Sequence, residues 1–452
     1  MRIMIVTDQY PPMVGGVPTV TYGLAMDFAN RGHQVWVVAP SYGAHDTRNV
    51  EDKVRVYRFS SFEWPAYEGL RIPFLPFVPV RNLIKKTDPD IIHIHSPIVL
   101  GNIAQILAGG LRKPVIATNH YMPINISSSL MAEPLIGRYL NSITYSYLVH
   151  FCNRCEYVTA PTQTALNLLY ERGLRAPARP ISNGIDLQKF SPGAREPAVL
   201  QRFNLPTEQP LVLHVNRLSE EKRIDVLIDA MTKVKSNVHL ALVGTGPADA
   251  ELRAQVERLH LQKRVSFLGF VQDEDLILLR RAADIFAIPS EAELQSLATM
   301  EAMACGLPII AANAWALPEL VHNEENGFLF RPGNSDELAT YIDTLAHDVP
   351  LRKRMGAESL NIIAGHDRSK ILGEWEELYR RLAIEFHDAK ERRKQLRLAQ
   401  KNRLKIPQEL QNVQLPHIRR TGDLAFDQTQ DNRRRRRKNE NSGILKRIEK
   451  ER

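Results

Sequence analysis

A chain of 452 residues is long for one domain and sufficient for two with a tail left over. The 44% hydrophobic fraction lets each half bury a full core, and the net charge of +8 is unevenly spread: residues 390–452 carry 20 Lys/Arg against 8 Asp/Glu, whereas the preceding part carries 39 against 43. The body is therefore slightly acidic, which excludes any nucleic-acid or membrane argument from overall charge except for the tail.

The opening residues, Met1–Pro12, read as a first strand rather than a secretory leader. No apolar run reaches the ~18–20 residues that a membrane span needs, so the expected location is the cytoplasm. Ile3–Val6, Val35–Ala39, Ile91–His95 and Val115–Thr118 read as buried strands. A glycine turn, Met13-Val14-Gly15-Gly16, follows the first, and a helix is expected over Pro18–Asn30. A further strand at Val158–Ala160 ends at Ala160-Pro161-Thr162, and Asn183-Gly184-Ile185-Asp186 is a turn. The alternation restarts with strands at Leu211–Val215, Val238–Val243, Arg264–Leu268 and Ile285–Pro289. Two successive parallel α/β halves describe two Rossmann-like domains facing each other. We expect domains at 1–186 and 209–365, a linker over 187–208, and a capping helix over 366–389 that crosses back onto the first domain. The basic tail, 390–452, is too polar to offset its ordering entropy and is expected to be mostly disordered.

Three cysteines, Cys152, Cys155 and Cys305, are too few for a disulfide framework. The CxxC could serve redox chemistry or half a zinc site, but no further ligands stand at matching spacing; buried, idle thiols are the simpler reading.

The segment with most chemistry is Glu293-Leu-Gln-Ser-Leu-Ala-Thr-Met-Glu301, running into Ala302-Met-Ala-Cys-Gly-Leu-Pro308. Two carboxylates eight apart can stand in a loop and just inside the helix that follows. The N–H groups around Leu294, Gln295, Ser296 and Leu297 would open that helix toward an anion. On spacing alone, ordinary first-turn acids favoured by the helix dipole explain the pattern equally well.

This segment resembles the signature of the retaining GT-B glycosyltransferases of family 4. Further positions match that family in order: the Gly15-Gly16 turn, Asp90-Ile-Ile-His-Ile-His95, Thr118-Asn119-His120, Asn183–Asp186, Asn216-Arg217-Leu218-Ser219-Glu220-Glu221-Lys222, and Val243-Gly244-Thr245-Gly246-Pro247. The resemblance covers roughly residues 1–385 and implies a GT-B fold, a nucleotide-diphosphate sugar as donor substrate, and hexosyl transfer. It implies that Glu293 grips the donor sugar, that Glu301 binds the nucleotide ribose and that His120 faces the sugar's 6-hydroxyl. Arg217 and Lys222 would clamp the diphosphate, with Gly244 and Gly246 beside the nucleotide. The two cations also make independent sense, since a leaving diphosphate gains negative charge as its bond breaks.

With those cations in place no catalytic metal and no cofactor is expected; Asp88-Pro89-Asp90 spells a metal-binding Asp-x-Asp but merely introduces a strand. His93 and His95 are read as projecting to opposite faces of that strand, so that both are not functional. The expected mechanism is a front-face substitution in which the departing phosphate takes the acceptor's proton.

Ala117–Pro123 and the Glu-Leu-Gln-Ser order further resemble the diacylglycerol glucosyltransferase branch, implying a UDP-glucose type donor and a lipid hydroxyl acceptor. Apolar segments with basic flanks, Ile72–Val80 and Ser129–Ile136, suit a membrane interface. Arg433–Lys438 would be drawn to anionic lipid, placing the protein peripherally on the inner face of the membrane. The alternatives are a buried Pro73–Pro79 loop with a soluble sugar or polyol-phosphate acceptor, or nucleic-acid binding through the tail. No aromatics interleave with the arginines, so no specific nucleic acid is expected.

Overall fold

The computed structural model describes residues 1–64, 70–122 and 134–401, all within one compact unit. The first lobe is built on an eight-stranded sheet. Its strands are β1 (Arg2–Val6), β2 (Gln34–Pro40), β3 (Thr47–Glu51), β4 (Val54–Phe59), β7 (Ile91–Ile94), β8 (Val115–Thr118), β9 (Tyr157–Ala160) and β10 (Ala178–Pro180). They lie in the order β10-β9-β8-β7-β1-β2-β4-β3. Every pairing is parallel except β3 with β4. A small antiparallel hairpin, β5 (Ser61–Glu63) and β6 (Arg71–Pro73), stands apart from it.

The second lobe has six parallel strands: β11 (Leu211–Val215), β12 (His239–Val243), β13 (Val265–Gly269), β14 (Ile285–Ile288), β15 (Ile309–Ala312) and β16 (Gly327–Phe330). Their order, β13-β12-β11-β14-β15-β16, is that of a doubly wound dinucleotide fold. In such sheets ligands bind outside the strand C-termini where the order reverses. Here that point lies between β11 and β14, and in the first lobe between β1 and β7.

Side-chain alternation explains the layering. Ile3 and Ile5 of β1 join one core cluster, while Met4 and Val6 join the other. The strands at 47–59, the hairpin, and β15 and β16 were not legible as elements; β15 is four short apolar residues, Ile-Ile-Ala-Ala, without a period of its own.

Two boundaries depart from expectation. Residues 187–208 are not a free linker: Phe190, Val199, Leu200 and Leu205 are buried in the second lobe's core, and Pro197–Arg202 is helical. The last helix runs over Arg368–Lys401, twelve residues into the stretch read as tail. Its Ile371, Leu372, Trp375, Leu378 and Tyr379 complete the first lobe's core, so it does cross back. The arginine run Arg433–Lys438 lies outside the described residues, as do residues 129–133 of the Ser129–Ile136 segment.

Gly244 and Gly246 are packing glycines. Gly244 has φ +133°, and a Cβ there would stand 1.9 Å from the Asn216 carbonyl oxygen; at Gly246 it would stand 2.2 Å from that of Leu218. Both let the turn after β12 press against the loop after β11. Gly244→Ala is expected to cost about 1–3 kcal/mol, read as a lower urea midpoint with an unchanged m-value; wild-type stability would overturn this packing role.

Candidate active site

A cleft of about 700 Å³ opens between the lobes at both reversal points. From the first lobe it is lined by Gly15 and Gly16, at the start of the Gly16–Asn30 helix, and by His95 and His120 at the ends of β7 and β8. A Cβ at Gly16 would meet nothing within 4 Å, so that side of the turn stands open. From the second lobe come Asn216 and Lys222, after β11, and Ala292–Ala298 with Glu301, after β14.

Glu293 is 9% exposed and held by two donors: Lys222 Nζ at 2.9 Å and Asn216 Nδ2 at 3.2 Å, both on Oε1. Ser296 caps the Leu297–Ala304 helix by accepting the Thr299 N–H. The first N–H groups of a helix have no acceptor within it, and here Leu297 and Ala298 line the cleft. A helix start thus sits one turn from a carboxylate–ammonium pair, an arrangement able to receive an anion.

Leu294 and Gln295 do something else. The Leu294 side chain packs against the first lobe's core, and its carbonyl accepts from Thr162 Oγ1 at 2.8 Å. Gln295 Oε1 accepts the Asn183 N–H at 2.8 Å, and its Nε2 donates to Ser182 Oγ and the Pro161 carbonyl. These two residues, expected to touch the donor, tie the lobes together with their side chains. Glu319 adds to the clasp, accepting the N–H groups of Gln163 and Thr164 at a helix start. Arg217 is exposed and lies outside the cleft lining; its N–H binds Asn216 Oδ1.

The histidines require a correction. His93 and His95 project to the same face, because residues two apart on a strand must, and their ring centroids are 3.9 Å apart. His93 is structural, bound to Tyr379 Oη and Thr118 Oγ1 in the core. His120 lies at the cleft, its Nε2 2.9 Å from His95 Nδ1, and burial pushes its pKa down to about 4.

Asp88 and Asp90 sit at the N-terminal edge of β7, opposite the cleft, and pair with Arg2 and Lys113. Among the described residues no group of three His, Cys, Asp or Glu side chains could hold a metal. All three thiols are buried and free; burial pushes the pKa of Cys152 up to about 12 and that of Cys305 up to about 11.

Residues 14–189 match the family model described as Glycosyltransferase Family 4, and residues 196–361 match that described as Glycosyl transferases group 1. The chain belongs to the GT-B glycosyltransferases. This glycosyltransferase is 30% identical over 312 residues to the sulfoquinovosyl transferase SQD2 of Arabidopsis thaliana, covering 67% of this chain and 58% of that protein. It is 26% identical over 386 residues to the alpha-monoglucosyldiacylglycerol synthase of Streptococcus pneumoniae, covering 83% of this chain and 85% of the relative. Among solved structures, Anabaena HepE in complex with UDP superposes with a TM-score of 0.65 at 25% identity, over 84% of this chain and 99% of that one.

One cleft residue of the glycosyltransferase escaped the sequence reading. Arg280 is 1% exposed, lines the cleft and pairs with Glu301. Burial pushes the Glu301 pKa up, and the guanidinium opposes this. Its signal was present: Leu276, Leu279, Arg280 and Ala283 follow the i, i+3, i+4, i+7 pattern of a buried face, with a cation where an apolar residue is due. Arg280→Met is expected to cost about 2–3 kcal/mol, the low side of what a broken buried pair costs, because Glu301 keeps some solvent contact. The double variant Arg280→Met/Glu301→Leu should regain much of that in chemical denaturation; equal losses in both would show that the pair is not what the cost reflects.

Proposed function

We propose that this protein is a retaining hexosyltransferase that moves a sugar, of the UDP-glucose type, from a nucleotide diphosphate to a hydroxyl of a membrane lipid such as diacylglycerol. The observation that carries the lipid acceptor is an exposed apolar surface that runs into the cleft. Phe74, Leu75 and Val78 are 66%, 65% and 67% exposed, with Phe62, Trp64 and Phe77 beside them. These residues belong to the hairpin, the Phe77–Thr87 helix and the residues that join them, and the helix's Arg81, Lys85 and Lys86 are exposed as well. Trp64 also lines the cleft. The alternative of a buried Pro73–Pro79 loop does not hold. An apolar patch with basic flanks suits the surface of an anionic bilayer, and it would bring the lipid hydroxyl to the donor.

No helix among the described residues is long and apolar enough to cross a membrane, so the reading is of a peripheral protein on the inner face. Support for the acceptor also comes from the relative named a monoglucosyldiacylglycerol synthase, and for the donor from the neighbour bound to UDP. In this reading Glu293 Oε1 stays with Lys222 and Asn216 while Oε2 accepts a hydroxyl of the donor sugar. Lys222, in the cleft, opposes the charge that grows on the leaving diphosphate, without a metal, and Arg217, exposed just outside the lining, joins it by turning its side chain inward when the donor binds. His120 positions the 6-hydroxyl and Glu301 the ribose. The departing phosphate takes the acceptor's proton on the same face, which keeps the anomeric configuration.

Incubation with UDP-glucose, UDP-galactose or GDP-mannose and diacylglycerol in phosphatidylglycerol vesicles tests the whole reading: an α-linked glycolipid from a UDP-sugar is expected, and an inverted product or transfer only to soluble acceptors would overturn it. Glu293→Ala should lower kcat on the order of 100-fold, and near-normal turnover would remove Glu293 from the mechanism. Replacing Phe74, Phe77 and Val78 together by Ser should abolish sedimentation with those vesicles while donor hydrolysis persists; unchanged sedimentation would move the membrane contact elsewhere.

A further inference from the structure

His95 directly follows β7 at the first lobe's reversal point and lines the cleft. It is 1% exposed. Its Nδ1 lies 2.9 Å from His120 Nε2, and the two rings are nearly parallel, 13° apart with centroids at 5.2 Å, as an in-plane bond between them requires. Its other nitrogen, Nε2, is buried with no hydrogen-bond partner among the described residues. Of the polar groups around it, His93 is engaged with Tyr379 and Thr118, and Ser96 with Thr7 and Tyr121, whereas Asn119 Nδ2, next to His120, is buried without a partner as well. A buried polar atom without a partner needs an explanation, and a cleft beside it supplies one.

Burial keeps both rings neutral. A neutral imidazole carries one N–H and one bare nitrogen. The His95–His120 bond uses a donor from one ring and an acceptor from the other. The two remaining nitrogens, His95 Nε2 and His120 Nδ1, are therefore always opposite in kind. When His95 donates through Nδ1, its Nε2 accepts and His120 Nδ1 donates; the reverse tautomer exchanges both roles.

We propose that His95 Nε2 is a substrate-hydroxyl contact, and that His95 and His120 act as one two-ended unit offering one donor and one acceptor to the cleft. This rests on the glycosyl-transfer reading of that cleft. A sugar or alcohol hydroxyl is the ligand that fits, because it can meet either tautomer by donating or accepting. The hydroxyl could belong to the donor sugar or to the acceptor.

Two amide substitutions separate the nitrogens. His95→Asn puts an amide near the Nδ1 position and removes Nε2; His95→Gln puts one near Nε2 and gives up the bond to His120. Steady-state transfer and donor hydrolysis without acceptor are measured for both in the full-length protein, with melting temperatures alongside. Expected is a loss of about tenfold or more in transfer kcat/KM for His95→Asn, with His95→Gln the more active of the two. A loss seen also in donor hydrolysis assigns the hydroxyl to the donor sugar, and a loss confined to transfer, with a raised acceptor KM, assigns it to the acceptor. His95→Asn matching or exceeding His95→Gln would reduce His95 to orienting His120 and overturn the proposal. So would equal activities accompanied only by a lower melting temperature. If the wild-type protein turns over no sugar nucleotide, the functional reading falls first, and wild-type turnover is the control that keeps the two failures apart.

Discussion

The eight residues between β14 and the following helix hold the molecule's function together, because Glu293–Gln295 among them engage both lobes at once. Glu293 is fixed from the second lobe by Lys222 and Asn216. Its neighbour Leu294 is packed into the first lobe, and Gln295 is bonded to Ser182, Asn183 and Pro161. A carboxylate at such a place cannot be moved relative to His120 without breaking those bonds. Cleft geometry is thus fixed in part by a few directional contacts, and their cost of rupture limits how freely the lobes can open.

Charge at the cleft is organised in the same spirit. Lys222–Glu293 and Arg280–Glu301 each place a cation against a carboxylate in poorly hydrated surroundings, where neither partner is tolerable alone. Such pairs are weak evidence for stability, since apolar residues could fill the same volume. Their value lies in fixed direction: the carboxylates are oriented before any ligand arrives. The glycine turn after β1 and the start of the Leu297–Ala304 helix also line the cleft, and backbone N–H groups at such places can meet an anion without a titratable group.

The crossover helix extends this logic across the chain. Tyr379 of Arg368–Lys401 reaches through the first lobe's core to His93, and Trp375 lies against the same ring. His93 in turn shares its face of β7 with His95. The C-terminal helix is therefore part of the packing behind the cleft's histidines, and Arg368 at its start pairs with Asp27 on the first helix.

By itself the sequence determined the fold class, the order of the two halves, the glycine turns and the acids of the donor segment. These are local or periodic features, readable because parallel buried strands are short apolar runs and because turns demand particular residues. It also placed Lys222, Glu293 and His120 in segments that do meet. What it could not determine was what each side chain spends its bonds on. Gln295 and Leu294 line the cleft, but their side chains are claimed by the first lobe. Gly244 and Gly246 look like ligand glycines until the carbonyls of Asn216 and Leu218 are found where a Cβ would stand. His95 looked redundant beside His93 only because the face it shares was misassigned. Arg280 and Glu301 are 21 residues apart and pair only once their two helices and the strand between them have folded. Hydrogen bonds and ion pairs between residues far apart in the chain depend on positions that no local period encodes, and so the tertiary structure alone decided them.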